Sequence, residues 1–206
     1  MSEMKDSLPK QFFTRQDESA DEEFYLLPRF KTHIDDETID NLTDYYREVI
    51  PNNSNVLDLM SSWISHLPED QKYARISGLG MNSEELAANK RLSDYRVQNL
   101  NTNPSLPYAN DSFDAALIAV SVQYLIQPIE VFKDIARCLL PGGVCIVSMS
   151  HRLFPSKAIY AFHALPSEDR CRLVGSYLKQ AGFNNIDMID RSPPNADPLW
   201  VVVGKK

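Results

Sequence analysis

Residues 56–63 read VLDLMSSW, a short apolar run that ends in a polar turn. An apolar run of this length, bounded by turn residues, predicts a strand covered on both faces, as in a parallel sheet. In nucleotide-binding α/β folds the turn after such a strand is usually rich in glycine, which accepts a positive φ and lets the backbone approach a ligand. Here Met60, Ser61 and Ser62 occupy that turn. The stretch predicts a nucleotide-binding architecture with an altered turn.

Outward from this stretch, strand and helix patterns alternate along the chain, which implies parallel strands joined by crossover helices. Further strands are predicted at residues 74–79, 95–98, 113–119, 144–148, 185–190 and 199–203, and helices at residues 38–50, 84–92, 128–140 and 168–181. Only residues 191–198 separate the last two strands, too few for a crossover helix, so these strands should pair antiparallel. We predict an α/β, Rossmann-like, doubly wound sheet of seven strands, mostly parallel, with an antiparallel C-terminal pair.

The composition is that of an ordinary globular protein and restricts the classes of partner. Of 206 residues, 43% are hydrophobic and 24% are charged, and the formal net charge is −7. This negative charge argues against a nucleic-acid partner, which requires a basic face. No apolar run approaches the roughly 18 residues of a membrane span, and the polar N-terminus contains no secretory signal. We expect a cytoplasmic protein with a small-molecule substrate and no membrane partner; the oligomeric state is left open.

The chain is expected to form one domain preceded by a leader. Residues 1–23 are charged and polar, which predicts a flexible leader, and residues 24–206 form the domain. The three cysteines, Cys138, Cys145 and Cys171, have neither a disulfide framework nor metal-ligand spacing. They are interpreted as buried apolar side chains in a reducing compartment, and no metal site is predicted.

Two local signals concern the segments near the first two strands. Asn82 followed by Glu85 has the spacing of a capping box at the start of a helix. Pro68 should limit the helix after the first strand to about two turns, which weakens the helix dipole directed at a ligand.

The later motifs resemble a known family. Residues 106–108 (LPY), 111–114 (DSFD), 121–124 (SVQY) and 141–143 (PGG) are similar to the pattern of class I S-adenosylmethionine-dependent methyltransferases that act on small molecules. The resemblance covers about residues 56–205. More narrowly, residues 61–63 and 78–82 resemble a methyltransferase-like group with a Ser-Ser-Trp first loop.

The resemblance implies S-adenosyl-L-methionine as cofactor and assigns positions to it. The matching positions are Asp58, Met60, Ser61, Ser62, Gly80, Met81, Asn82, Asn99, Leu100 and Ser121. Asp58 matches the acidic residue that faces the cofactor's amino-acid end. Gly80 and Asn99 stand where the family places acidic residues near the ribose and the adenine. Asn82 is the expected substitute at the ribose, and Met81 and Leu100 are expected to pack on the adenine ring.

Substrate contacts in this fold come from the segment before the sheet and from the insert after the fifth strand. The substrate candidates are Tyr25, Arg29, His33 and Arg152, and the catalytic candidates are His151 and Tyr124. Either Arg29 or Arg152 is suited to hold an anionic group through two parallel hydrogen bonds. His151 is the expected general base.

Three functions are weighed. The first is an S-adenosylmethionine-dependent methyltransferase acting on an unidentified small molecule. The alternative is a methyltransferase-fold binding or regulatory protein without catalysis, which the neutral residues at the second and third strand ends and the missing glycines favour. A nicotinamide-dependent oxidoreductase is disfavoured by the missing glycines and the antiparallel final pair. Trp63 is interpreted as a core residue rather than a lid.

Overall fold

A computed structural model describes residues 8–206 of the chain. Its centre is a seven-stranded sheet in the order β3-β2-β1-β4-β5-β7-β6. The strands are β1 Asn55–Leu59, β2 Arg75–Gly80, β3 Asp94–Val97, β4 Phe113–Ala119, β5 Leu139–Met149, β6 Asn184–Asp190 and β7 Trp200–Lys205. The first five strands pair in parallel, whereas β7 pairs antiparallel with both β5 and β6. The predicted fold class is confirmed.

Helices cover both faces of the sheet. They are α1 Asp21–Phe24, α2 Asp36–Val49, α3 Ser83–Ala88, α4 Pro128–Cys138, α5 Tyr160–Ala164 and α6 Ser167–Gln180, with short 3₁₀ turns at Lys10–Phe13 and Val122–Tyr124. The Asp35 side chain caps α2 by accepting a hydrogen bond from the Thr38 amide. The predicted helices correspond to α2, α3, α4 and α6, but α3 ends earlier than predicted.

The central strands divide their side chains between two cores. Leu57 and Leu59 of β1 belong to the core under α4 and α6, whereas Val56 belongs to the core under α2. Successive side chains in a strand point to opposite faces, so a strand covered on both faces is apolar at nearly every position. This explains why the strand segments were recognisable in the sequence.

The segment after β1 differs from the prediction. Residues 60–74 form no helix, although a helix of about two turns was expected there. The chain is instead held by side chains of neighbouring elements: Thr43 donates its hydroxyl hydrogen bond to the His66 carbonyl, and Asn89 donates to the Ser62 carbonyl and to the Ser65 hydroxyl. These contacts fix an irregular loop, so no helix N-terminus follows the first strand.

The described part of the predicted leader, residues 8–23, lies against the domain. Arg15 forms an antiparallel bridge with Ile159, and the Asp17 amide donates to the Ser156 carbonyl at 2.9 Å. The Nζ of the fully buried Lys157 lies 2.8 Å from the Ser19 carbonyl and 3.1 Å from an Asp17 carboxylate oxygen. The remaining leader residues, 1–7, lie outside the described part, and the division of the chain at residue 23 stays a prediction.

The cysteines and the helices of residues 8–206 bear on two further predictions. Cys138, Cys145 and Cys171 are buried and unpaired, as predicted. Over the same residues, no helix has both the length and the apolar character needed to cross a membrane.

Candidate functional site

A cavity of about 350 Å³ lies where β1, β2 and β4 end. One wall is the loop after β1, and the segment from Asp21 to Ile34 contributes another part of the lining. Loops at the carboxyl ends of parallel strands form the usual ligand crevice of an open α/β sheet. The volume falls within the range of small-molecule sites, toward its lower end.

The cavity brings together all but one of the residues predicted for the site. Those in its lining are Tyr25, Arg29, His33, Asp58, Met60, Ser61, Ser62, Gly80, Met81, Asn82, Asn99, Leu100, Ser121, Tyr124 and Arg152. Their roles remain predictions, but their convergence in one cavity agrees with the motif positions.

The exception is His151, the predicted general base. Its side chain is 53% exposed, and its Nε2 lies 3.3 Å from a carboxylate oxygen of Asp197, outside the cavity lining. The neighbouring Arg152 lines the cavity, but its Nε donates to the same carboxylate at 2.9 Å. The structure therefore does not bring His151 to the cavity with the other candidates, and its role as general base stays a prediction.

Asp58 is a buried acid of the cavity. Its carboxylate accepts a hydrogen bond from the Ser61 hydroxyl at 2.7 Å, and no cation pairs with it among residues 8–206. Burial raises the pKa of Asp58 to about 6, although hydrogen bonds from Ser65 and Ser61 act in the opposite direction. A carboxylate in this state is complementary to a positively charged ligand group.

The turn after β1 keeps a glycine-like backbone without glycine. Met60 has φ +54°, in the left-handed region, at the position of the family's first glycine. Two other cavity residues, His66 at +54° and Val120 at +49°, share this conformation. Such a conformation costs about 1–3 kcal/mol for a residue with a side chain and persists only where the surroundings impose it. Half of the six such residues in the described chain line this cavity.

Gly80 and the loop after β1 are sterically coupled. A Cβ added to Gly80 would lie 2.2 Å from the Ser61 carbonyl oxygen. That oxygen therefore occupies the space in which an acidic residue at position 80 would begin its side chain. The missing acid and the altered turn are two consequences of one backbone arrangement.

The two predicted amides already have partners on the protein. The Asn82 oxygen caps α3 by accepting from the amides of Glu84 and Glu85, while its nitrogen donates to the Tyr25 and Leu26 carbonyls. The Asn99 side-chain nitrogen donates to Glu22. The structure thus gives Asn82 the role of joining the N-terminal segment to α3, and not a free amide at the predicted ribose position.

Glu85 is a cavity acid that the sequence analysis missed. Its spacing from Asn82 suggested a capping box, but its carboxylate instead accepts hydrogen bonds from the Ser62 hydroxyl and from the Arg29 amide, the latter at 2.7 Å. The residue is buried and lines the cavity beside Gly80. A carboxylate has about four acceptor sites, so these two donors leave capacity for a ligand.

His66 was also missed. It lines the cavity, and its Nδ1 is shielded from solvent without a hydrogen-bond partner among residues 8–206. Desolvation, together with the neighbouring His33, lowers the pKa of His66 to about 4. The imidazole is therefore neutral near pH 7. Only its position after the altered turn could have indicated it from the sequence.

Aromatic side chains form the part of the cavity nearest the segment after β5. Tyr124 stacks on Phe154 with ring centroids 5.7 Å apart, and its hydroxyl accepts from the Phe154 amide at 2.8 Å. Burial raises the pKa of Tyr124, so its hydroxyl stays protonated and is not suited to accept a proton as a base. Trp63 also lines the cavity, where its indole nitrogen donates to the Lys31 carbonyl at 3.3 Å; it is half-buried, although it was interpreted as a core residue.

Within the described chain, no group of three or more His, Cys, Asp or Glu residues is arranged to hold a metal ion.

The sequence matches one family model. Residues 60–147 match the model described as a methyltransferase domain. This range includes the altered turn, β2, β4 and most of β5. Among curated proteins, no relative was found.

Solved structures share the fold at low sequence identity. The [4+2]-cyclase SpnF superposes with a TM-score of 0.62 at 18% identity, over 81% of this chain and 81% of that chain. An S-adenosylmethionine-dependent methyltransferase from Mesorhizobium loti has a TM-score of 0.57 at 16% identity, over 82% and 100% of the two chains. Phosphoethanolamine N-methyltransferase 2 from Haemonchus contortus, in complex with phosphomonomethylethanolamine and S-adenosylhomocysteine, has a TM-score of 0.59 at 14% identity, over 81% and 52%.

These findings show the fold of the protein. The chain has the fold shared by class I S-adenosylmethionine-dependent methyltransferases, and residues 60–147 match the model of a methyltransferase domain. The resemblance inferred from the motifs is confirmed at this level. The fold alone does not set the reaction, since one of the similar structures is a cyclase.

Proposed function

We propose that this protein transfers a methyl group from S-adenosyl-L-methionine to a small molecule, in the cytoplasm. The observation that carries the proposal is the buried carboxylate of Asp58, which faces the cavity at the strand ends without a cation. Such a group is costly in the free protein and is relieved by a positively charged ligand. The cofactor has two positive groups, an ammonium and a sulfonium.

The residues present fit this cofactor in an arrangement particular to this chain. Asp58 would hold the amino-acid end, with the Met60 turn as the backbone beneath it. Glu85 is a buried acid of the cavity lining and would take the hydroxyl groups of the ribose. The apolar side chains of Met81 and Leu100 line the same cavity and would contact the adenine.

Few further groups are needed for the transfer. When bound, S-adenosylmethionine supplies an activated methyl group on its sulfonium. The protein's contribution is to hold the acceptor in line with it and to exclude water, which alone accounts for much of the rate of such reactions. His66, neutral near pH 7, is the cavity imidazole available to hydrogen-bond an acceptor that carries a proton.

Calorimetric titration with S-adenosylhomocysteine tests the proposal, with Asp58→Asn as the variant. Asp187→Asn, the same substitution at an exposed position on β6, is the matched control. We expect binding by the wild type and by the control, and a loss of about tenfold or more in Asp58→Asn, because a charge-assisted hydrogen bond is removed. No heat from the wild type at millimolar ligand would contradict the proposal and favour the non-catalytic alternative.

A further inference from the structure

The cavity contains four cationic side chains, and three of them are accounted for. Arg152 is paired with Asp197 at 2.9 Å, and Lys157 is paired with Asp17 at 3.1 Å and with Asp21 at 3.5 Å. Lys31 lies on the exposed rim. Arg29 remains, since among residues 8–206 no carboxylate forms an ion pair with its guanidinium.

The Arg29 guanidinium is held in place by aromatic rings. Its central carbon lies 4.5 Å from the ring centroid of Phe24, 5.5 Å from that of Phe154 and 5.7 Å from that of Tyr25. Its Nη2 donates to the Phe24 carbonyl at 2.7 Å. Stacking of this kind fixes the plane of the guanidinium while leaving its edge free to donate.

That edge is not satisfied by the protein. Nη1 is shielded from bulk solvent and has no hydrogen-bond partner within the described chain. A guanidinium has five donor hydrogens in a planar fork that matches the two oxygens of a carboxylate or phosphate. A partly buried cation without a counter-ion is costly, and an anionic ligand would remove that cost.

The surroundings of Arg29 favour the acceptor over the cofactor as the source of this anion. Its side chain contacts the N-terminal segment through Phe24 and Tyr25, and the segment after β5 through Phe154. The positions matched to the cofactor lie mainly on the loops after β1, β2 and β3. Glu85 binds the main-chain amide of Arg29, whereas the guanidinium itself contacts the aromatic side chains and not the residues matched to the cofactor's charged end.

We propose that the methyl acceptor is a small organic anion whose carboxylate or phosphate group is anchored by Arg29. The anion is the group by which the acceptor is held, and the methyl group is transferred to another of its atoms. Arg152 was an equal candidate for this role, but its charge is already paired with the Asp197 carboxylate. That the bound anion is a methyl acceptor rests on the proposed function. That an anion binds here rests on Arg29 alone.

Calorimetric titration in chloride-free buffer tests the anion site. Acetate and inorganic phosphate are titrated separately into the full chain, once without ligand and once saturated with S-adenosylhomocysteine. The variant is Arg29→Gln. The matched control is Lys31→Gln, which removes the same charge from the rim of the same cavity.

We expect saturable binding of at least one of the two anions by the wild type. Arg29→Gln should weaken it by about tenfold or more, the equivalent of losing a charge-assisted pair. Lys31→Gln should weaken it by no more than about twofold, because an exposed charge is screened. Preference for acetate or phosphate identifies the anionic group.

Three results would overturn the inference. They are no saturable binding of either anion by the wild type, equal weakening in Arg29→Gln and Lys31→Gln, and a loss of S-adenosylhomocysteine affinity in Arg29→Gln while anion binding is unchanged. If the wild type binds no S-adenosylhomocysteine, the proposed function fails separately, and the titration without ligand still decides whether Arg29 is an anion site.

Discussion

Asp58 is a carboxylate that the fold buries without a cation, and this has a consequence for stability. Burial raises the pKa of Asp58 from 3.8 to about 6, so the folded state holds this proton more tightly than the unfolded state. Between these two values stability falls as the pH rises, and above pH 6 the full penalty is present. At about 1.4 kcal/mol per pKa unit, the penalty is on the order of 3 kcal/mol.

Asp58→Asn should therefore stabilise the ligand-free protein at neutral pH. Because about half of the penalty is present at pH 5 and all of it at pH 8, the advantage of the variant should grow by about 1.4 kcal/mol between these pH values. Urea unfolding of both proteins at the two pH values measures this difference. An advantage that is absent, or that shrinks as the pH rises, would show that the Asp58 carboxylate is not desolvated.

Individual site residues were predictable where a motif fixed their position. Asp58 lies near the end of β1 and Ser121 lies shortly after β4, and the ends of parallel strands meet at one edge of the sheet. His66 and Glu85 were missed because their places depend on an irregular loop and on a side-chain contact across it. The position of His151 outside the cavity was not predictable, because it depends on a contact with Asp197, 46 positions away in the chain.

At the scale of elements, strands were predicted more accurately than the connections between them. The apolar runs marked β1 and β4 to within one residue, since both faces of each strand are covered. The prediction of a helix after β1 was wrong, because Asn89 and Thr43, which are distant in sequence, bind the backbone of this segment as an irregular loop. β5 begins at Leu139, five residues before its predicted start, because Leu139 pairs with Phe113 before the bulge that precedes Ala115.

The coupling of β2 to the loop after β1 can be tested with Gly80→Ala. The new Cβ would lie 2.2 Å from the Ser61 carbonyl oxygen, a backbone atom that cannot move without the loop, so we expect destabilisation of about 2 kcal/mol or more. Gly175→Ala is the matched control: its Cβ would meet the flexible end of Met188 at 2.7 Å. Thermal unfolding compares the two variants. Equal effects would contradict the coupling.

For the whole molecule, the N-terminal segment acts as a wall of the cavity and is fixed by buried charges. Asp21 is bound by Arg15 at 2.6 Å, by Asn101 at 2.9 Å and by Lys157 at 3.5 Å. The polar composition of residues 1–23 predicted a flexible leader. The partners that bind its charged residues in the described part lie far away in the sequence, at Asn101 and Lys157. Composition does not reveal such pairing.

Lys157→Met should loosen this wall. Removing one partner of a buried ion cluster typically destabilises a protein by several kcal/mol, and since Arg15 still neutralises Asp21, we expect about 2 kcal/mol. Limited proteolysis should then cut between residues 15 and 34 faster than in the wild type. Lys179→Met, an exposed lysine on α6, is the control. Equal cleavage rates in the two variants would mean that Lys157 does not fasten the segment.

Hydrogen exchange of the full chain with and without S-adenosylhomocysteine tests the central claim, that the cavity between the strand ends and the N-terminal segment holds the cofactor. Binding there should slow exchange in residues 58–66, 80–86 and 98–101 at the strand ends, and in the wall at residues 21–34. Exchange on β6, at the far edge of the sheet, should be unchanged. No protection anywhere, or protection confined to segments outside the cavity, would contradict the account.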